Sequence, residues 1–183
     1  RAVDVSPGGA DQLVAGYESG RVVLWDLLKG KVVRKMGDAL HDEVPPWASN
    51  IVVVDKATIL TASGGEFRPK VVQYNWQTGA KLRVVAKWEP LRKRPTALSF
   101  HAPTSTLAVG FLDGDVAVYR FNPECGGREL ACYPLTNIHV PEKSGIGNYD
   151  GASYRTAVAS VQHHGDVLVY AARSGRLRVM TMP

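Results

Sequence analysis

Short apolar runs that alternate with polar residues recur along the chain, and turn-forming residues bound each of them. Four segments share one pattern, which is an apolar run ending in small residues, then a turn, then an alternating strand. They are residues 13–26, 59–75, 107–120 and 168–180. Alternation with a period of two predicts β-strands. The anchors Trp25, Tyr74, Tyr119 and Met180 recur at spacings of 49, 45 and 61 residues, which indicates a repeated structural unit with loop insertions.

Further strands flank these segments. Stretches rich in β-branched residues precede them at 2–7, 50–55, 96–101 and 156–162. Others follow the first three segments at 31–36, 81–88 and, less clearly, 129–135. The unit is therefore strand A, turn, strand B, tight turn, strand C, loop, strand D. Four antiparallel strands in each unit are typical of a β-propeller blade.

The pattern thus predicts an all-β chain of about four four-stranded blades. Their expected bounds are roughly 1–38, 48–90, 95–136 and 154–183, and the last blade is incomplete. Ser19-Gly20, Asp113-Gly114 and Ser174-Gly175 occupy the same B–C turn in three of the units. Such turns favour glycine because it adopts positive φ without steric cost. The corresponding turn of the second unit, residues 64–69, is longer, and we expect it to protrude.

The repeat resembles that of the WD-repeat family. Residues 20–33 carry the Trp25-Asp26 pair, and residues 98–121 are similar with Tyr119-Arg120 in its place. Good WD repeats also hold a buried hydrogen-bond tetrad that needs a Gly-His and a strand B hydroxyl. Here no Gly-His is suitably placed, and Ala15 and Val109 lie near the hydroxyl position. We therefore expect the blades to be stabilised by apolar packing between sheets.

The resemblance also bears on the size and context of the propeller. The family usually closes with seven blades, so we expect these four to be part of a larger propeller. Completion by another chain and closure as a small four-bladed ring are the alternatives. Residues 13–36 look like the propeller of endosomal and vacuolar tethering subunits, whereas residues 96–119 look like blades of ciliary or dynein-associated proteins.

Composition narrows the classes of function only slightly. The 183 residues include 22 basic and 17 acidic ones, for a net charge of +5, and the two signs are mixed along the chain. No apolar stretch approaches the roughly 20 residues of a membrane-spanning helix. The two cysteines do not form a zinc-ligand pattern and are expected to be reduced thiols. These features favour a cytoplasmic protein without a transmembrane segment.

No constellation in the sequence predicts catalysis. There is no Gly-x-Ser-x-Gly motif and no phosphate-binding loop. His101, His163 and His164 are expected in solvated A–B turns, and no carboxylate pair has a local partner for acid–base work. We therefore expect no enzyme activity, no cofactor and no metal.

The predicted function is that of a protein-interaction scaffold within a larger protein or complex, such as a trafficking tether or a ciliary or cytoskeletal assembly. Partners of propellers commonly dock on the face that carries the D–A and B–C loops. The candidate partner-binding residues there are Glu18, Glu66, Phe67, Arg68, Asp113 and Arg173. The long polar excursion at 132–155 is a second candidate, as a contact-bearing or a disordered loop.

Two alternatives remain at this point. The basic segment 87–94 contains Arg92, Lys93 and Arg94, and with Trp76 and Trp88 it could bind nucleic acid. The other interpretation of this basic segment is a solvated loop between two prolines. The chain could also belong to a propeller enzyme whose active residues lie outside this segment.

Overall fold

The computed structural model describes residues 2–5, 11–17, 21–36, 48–63, 70–88, 94–121, 132–138 and 157–181. The chain divides into two compact units, Arg1–Leu91 and Arg92–Pro183. Apart from one short 3-10 turn at Ala102–Thr104, the regular elements of the described part are all β-strands. Every pairing between them is antiparallel, and the chain is therefore all-β, as the alternating pattern predicts.

Unit one holds two four-stranded sheets in which the strands lie in chain order. Sheet one consists of β1 (Ala2–Val5), β2 (Gln12–Gly16), β3 (Val22–Asp26) and β4 (Lys31–Met36). Sheet two consists of β5 (Ala48–Val53), β6 (Thr58–Ser63), β7 (Lys70–Asn75) and β8 (Lys81–Lys87).

Unit two holds a four-stranded sheet and, among the described residues, a three-stranded one. Sheet three consists of β9 (Pro95–His101), β10 (Thr106–Phe111), β11 (Val116–Phe121) and β12 (Cys132–Ile138). Sheet four consists of β13 (Val158–His164), β14 (Val167–Ala172) and β15 (Leu177–Thr181). The prediction of about four blades of meandering antiparallel strands is confirmed.

Two strands lie later in the chain than the sequence predicts. β12 covers 132–138, so the first part of the 132–155 excursion is strand D of sheet three and not a loop. β13 extends to His164 because His163 and His164 pair with Leu168 and Val167 of β14. A tight turn at Gly165-Asp166 joins the two strands, and Gly165 supplies the positive φ of 61°.

The four sheets repeat one register between strands B and C. The aromatic or Met residue near the end of strand C always pairs with an aliphatic residue of strand B. The pairs are Leu13 with Trp25, Ile59 with Tyr74, Leu107 with Tyr119, and Leu168 with Met180. The sequence repeat is therefore a repeat in three dimensions.

Apolar packing between neighbouring sheets makes the core of each unit. In unit one a buried cluster joins sheet one to sheet two and includes Val14, Leu24, Ile59 and Tyr74. In unit two a second cluster joins Val116 and Val118 of sheet three to Val158, Val161 and Leu168 of sheet four. Burial of these side chains provides the main stabilisation of such stacked sheets.

The strand B position considered for the WD hydroxyl is occupied by Ala15, Thr61, Val109 and Tyr170 in the four sheets. Thr61, which the sequence comparison overlooked, is fully buried, and its hydroxyl has no hydrogen-bond partner. A hydroxyl is thus present at this position in sheet two without forming the tetrad.

Gly110 of β10 lies directly against the start of β13 in sheet four. A side chain at Gly110 would overlap Val158 at the start of β13. Beside it, the Thr96 hydroxyl lies 2.7 Å from the Val158 carbonyl oxygen and 3.2 Å from the Gly110 carbonyl oxygen. This shared hydrogen bond joins the two sheets at the end where their B–C turns lie.

Candidate interaction surface

The B–C turns have the same construction in three of the sheets. A backbone N–H at the end of strand B donates to the carbonyl four residues later. The pairs are Tyr17 with Arg21, Phe111 with Asp115, and Ala172 with Arg176, each at 2.9 Å. The residues that donate and accept these closing bonds therefore occupy equivalent positions in the three sheets.

In unit two a second backbone bond ties each B–C turn to the segment that enters strand A. The Leu112 N–H donates to the Arg94 carbonyl at 2.8 Å, and the Arg173 N–H donates to the Ala157 carbonyl at 2.9 Å. The D–A and B–C connections thus meet at one end of unit two, which we call the turn end. It carries Arg94, Asp113 and Arg173.

Two of the predicted partner-binding residues can be placed. Asp113 is half-buried in the turn of sheet three, where its carboxylate accepts the Asp115 N–H at 3.1 Å. Arg173 is exposed in the turn of sheet four. Glu18, Glu66, Phe67 and Arg68 lie outside the described residues. The binding roles of all six remain predictions.

Tyr17 and Arg21 are surface residues that the sequence analysis missed. Tyr17 is 39% exposed, whereas Phe111 at the equivalent position of sheet three is 1% exposed. Arg21 closes the same turn and is also exposed. The signal in the sequence was the aromatic residue directly before the Glu18-Ser19-Gly20 turn. An exposed aromatic beside arginine is typical of interface hot spots.

The nucleic-acid alternative loses one of its two aromatic residues, Trp76. Trp76 is only 6% exposed, and its indole N–H donates to the Asp55 carbonyl at 3.4 Å, so it cannot stack on a base. Trp88 and Arg94 are half-buried. Arg92 and Lys93 lie outside the described residues.

A polar cluster lies between sheets three and four at the end opposite the turn end. The rings of His101 and His163 stack with centroids 5.7 Å apart. The Ser99 Oγ lies 3.0 Å from Nδ1 of His163 and accepts the His163 backbone N–H at 3.1 Å. His163 is therefore half-buried in strand β13, which corrects its expected place in a solvated turn.

Hydroxyl groups flank both ring nitrogens of His163. The Ser99 hydroxyl, which also accepts the His163 backbone N–H, lies beside Nδ1. Nε2 lies 3.4 Å from the Thr106 hydroxyl. Thr104 continues the network, 2.8 Å from Thr106 and 2.8 Å from Nδ1 of His101.

This cluster is better suited to holding the sheets together than to catalysis. Burial, and secondarily the charge of His101, lowers the pKa of His163 to about 4. A base with so low a pKa is too weak to deprotonate the Ser99 hydroxyl effectively. Both ring nitrogens of His163 are also occupied by hydroxyl groups. In the described part of the chain, no group of three His, Cys, Asp or Glu residues could hold a metal ion.

Stability is expected to fall in acid because of His163. An unfolded chain binds a proton at His163 near pH 6.5, whereas the folded chain binds one only near pH 4. The stabilisation is complete above pH 6.5 and is lost as the pH falls from 6.5 towards 4. Since water screens a half-buried ring, we expect the loss to be about 1–2 kcal/mol.

Urea unfolding of wild type at about pH 7.5 and about pH 5 would measure this loss. His163→Gln should flatten the difference, while His164→Gln, an exposed neighbour in the same strand, should retain it. An equal pH slope in wild type and His163→Gln would contradict the assignment.

The architecture that these sheets and turns define is a β-propeller, and solved structures share it. No protein-family model matches the chain, and no curated protein sequence does. The computationally designed Ika4 protein aligns over 100% of this chain and 90% of its own, with a TM-score of 0.60 and 19% identity.

Two natural propeller-bearing proteins are also similar in fold. The Cps50 (Swd1) β-propeller domain of Myceliophteria thermophila aligns over 100% of this chain, with a TM-score of 0.65 and 11% identity. Raptor of Chaetomium thermophilum aligns over 99%, with a TM-score of 0.65 and 16% identity. The chain spans 53% of the former and 15% of the latter. At these identities the likeness shows the fold and not the activity.

One property of the described part bears on membranes. Among its residues no helix is long and apolar enough to cross a bilayer.

Proposed function

We propose that this chain is a WD-like propeller segment that serves as a cytoplasmic protein-interaction scaffold within a larger protein or complex. In this proposal it has no catalytic role and needs no cofactor. The B–C turns of the blades provide the docking positions, and the sheets provide a rigid support. Trafficking tethers and ciliary or cytoskeletal assemblies are the kinds of complex proposed.

The observation that carries the proposal is the repeated construction of the B–C turns. The same 2.9 Å closing bond holds the turns of sheets one, three and four. The side chains at these turns differ in chemistry, with Tyr17 and Arg21 flanking the first turn and Asp113 and Arg173 in the later ones. A rigid scaffold bearing variable loops is how propellers and similar folds acquire specificity.

The absence of a catalytic role is supported by the His163 cluster. The low pKa of His163 and the hydroxyl groups beside its ring nitrogens favour a structural role for this residue. Fold likeness alone does not assign a function, so a direct binding test is required.

The experiment is quantitative affinity purification of the tagged full-length protein with mass spectrometry. We expect Arg21→Glu/Arg173→Glu to lower recovery of the specific partners by about tenfold, since reversing interface charge adds repulsion. Lys56→Glu/Arg178→Glu makes the same charge change at exposed positions outside the B–C turns and should leave recovery intact.

Phe67→Ala/Arg68→Ala tests the predicted turn of the second blade in the same assay and should also reduce recovery. A protein recovered without stoichiometric partners, or one whose partners withstand all turn variants, would refute the scaffold proposal. Recovery of nucleic acid in place of proteins would instead support the alternative that this segment binds nucleic acid.

A further inference from the structure

The outer strands of unit one are strongly basic. β4 carries Lys31, Arg34 and Lys35, β8 carries Lys81, Arg83 and Lys87, and neither strand contains a carboxylate. Two acidic side chains of unit one, Asp26 and Asp55, are bound within turns. The Asp26 carboxylate accepts the Lys29 backbone N–H at 2.9 Å and lies 3.3 Å from the Lys29 ammonium. The Asp55 carboxylate accepts two backbone N–H groups.

Within the described part of the chain, β4 is also an edge strand. It pairs there only with β3 and is the last strand of its sheet. Its first five residues, 31–35, are all exposed, including the apolar Val32 and Val33. In sheet two, Leu82 continues this mixture of exposed apolar and basic side chains. A sheet edge of this kind offers unpaired backbone N–H and C=O groups.

Side-chain contacts connect β4 to the start of β8. The Arg34 guanidinium donates to the Thr78 carbonyl at 3.1 Å, and Gly79 leaves room for its aliphatic stem. Lys81 and Leu82 follow directly after this turn. Residues 31–35 with Lys81 and Leu82 thus form one surface, which we call the basic edge.

We propose that the basic edge docks an extended acidic peptide of another protein, which adds as a strand to the edge of β4. The positive charge selects an acidic partner, and the exposed valines favour apolar side chains between the acidic ones. An added peptide strand can pair with both the N–H and the C=O groups of the edge in register, which a lipid surface or a nucleic acid does not do. Six residues of β4 span about 20 Å, enough for a partner strand of similar length.

This inference goes beyond the proposed function, because the basic edge lies on the outer strands and not in the B–C turns. Lysines on an edge strand also keep sheets from aggregating, so binding must be measured directly. The probe is a fluorescent peptide of alternating Glu and Val, titrated at low salt by anisotropy. A Lys-Val peptide of equal length is the matched ligand control.

We expect Lys31→Glu/Lys35→Glu to weaken binding of the Glu-Val peptide by about tenfold or more. Lys56→Glu/Arg178→Glu carries the same charge change elsewhere and should alter it less than about twofold. The turn variant Arg21→Glu/Arg173→Glu should also bind normally, so that failure here and failure of the scaffold proposal are separable. Circular dichroism of each variant establishes that it is folded.

Hydrogen exchange distinguishes strand addition from simple charge attraction. Bound Glu-Val peptide should slow exchange of the β4 amides, whereas phosphatidylserine vesicles and oligothymidylate should not. The proposal is overturned if the peptide does not bind, if the control variant loses as much binding, or if binding leaves β4 exchange unchanged. Tighter binding of vesicles or oligothymidylate than of the peptide would also overturn it.

Discussion

Replacing Gly110 with alanine is expected to lower the free energy of unfolding by about 3 kcal/mol. A methyl group at Gly110 would overlap Cγ1 of Val158 and lie 2.7 Å from its Cβ. The neighbouring backbones cannot separate freely, because the Thr96 hydroxyl bonds both the Gly110 and the Val158 carbonyl groups. The clash must therefore distort the junction of sheets three and four.

Urea unfolding would measure this effect against two companions. Gly165→Ala meets open space but carries a φ of 61°, so it should cost only about 1 kcal/mol from backbone strain. Val158→Ala in the Gly110→Ala background should recover part of the loss, since it removes the overlapping Cγ1. A Gly110→Ala variant no less stable than Gly165→Ala would show that the junction is looser than the structure describes.

Much of the fold could be predicted because a propeller blade depends on local signals. Strand alternation and turn glycines act over a few residues, so the bounds of β4, 31–36, agree with the sequence prediction. The later positions of β12 and β13 arise from pairing with β11 and β14, which is not local. Tertiary pairing of this kind overrides the pattern at strand ends.

The contents of the site were less predictable for a physical reason. His163 meets Ser99 across 64 residues of chain, and nothing in either local sequence marks that contact. Trp76 is buried and contacts the Asp55 carbonyl, which lies 21 residues earlier and is not marked in the local sequence. By contrast, Asp113 and Arg173 could be assigned to equivalent turns from the glycines that follow them.

The shared strand register also explains how this chain can resemble solved propellers in fold while its sequence identity to them is low. Aliphatic and aromatic partners vary from Leu13 with Trp25 to Leu168 with Met180, yet each pair fills the same place. Packing of this kind requires apolar volume and not particular side chains. Degenerate repeats therefore keep the propeller architecture while family signatures are lost.

The other large effect is expected at Leu168 of sheet four, and Leu177 of the same sheet provides the control. Leu168 of β14 is fully buried in the cluster that joins sheets three and four. Leu168→Ala removes this packing and should destabilise the protein by about 3 kcal/mol. Leu177 of β15 is 67% exposed, so the same substitution there should cost less than about 0.5 kcal/mol.

This comparison is informative because Leu177 departs from its counterparts. Val22, Val71 and Val116 pair at the same position in sheets one to three, and all are buried. Thermal and urea unfolding of both variants, made in the full chain, would measure the two costs. A small cost at Leu177 means that its face of β15 is open to solvent, as the structure describes. A cost equal to that at Leu168 would contradict this exposure and show that further protein covers the face.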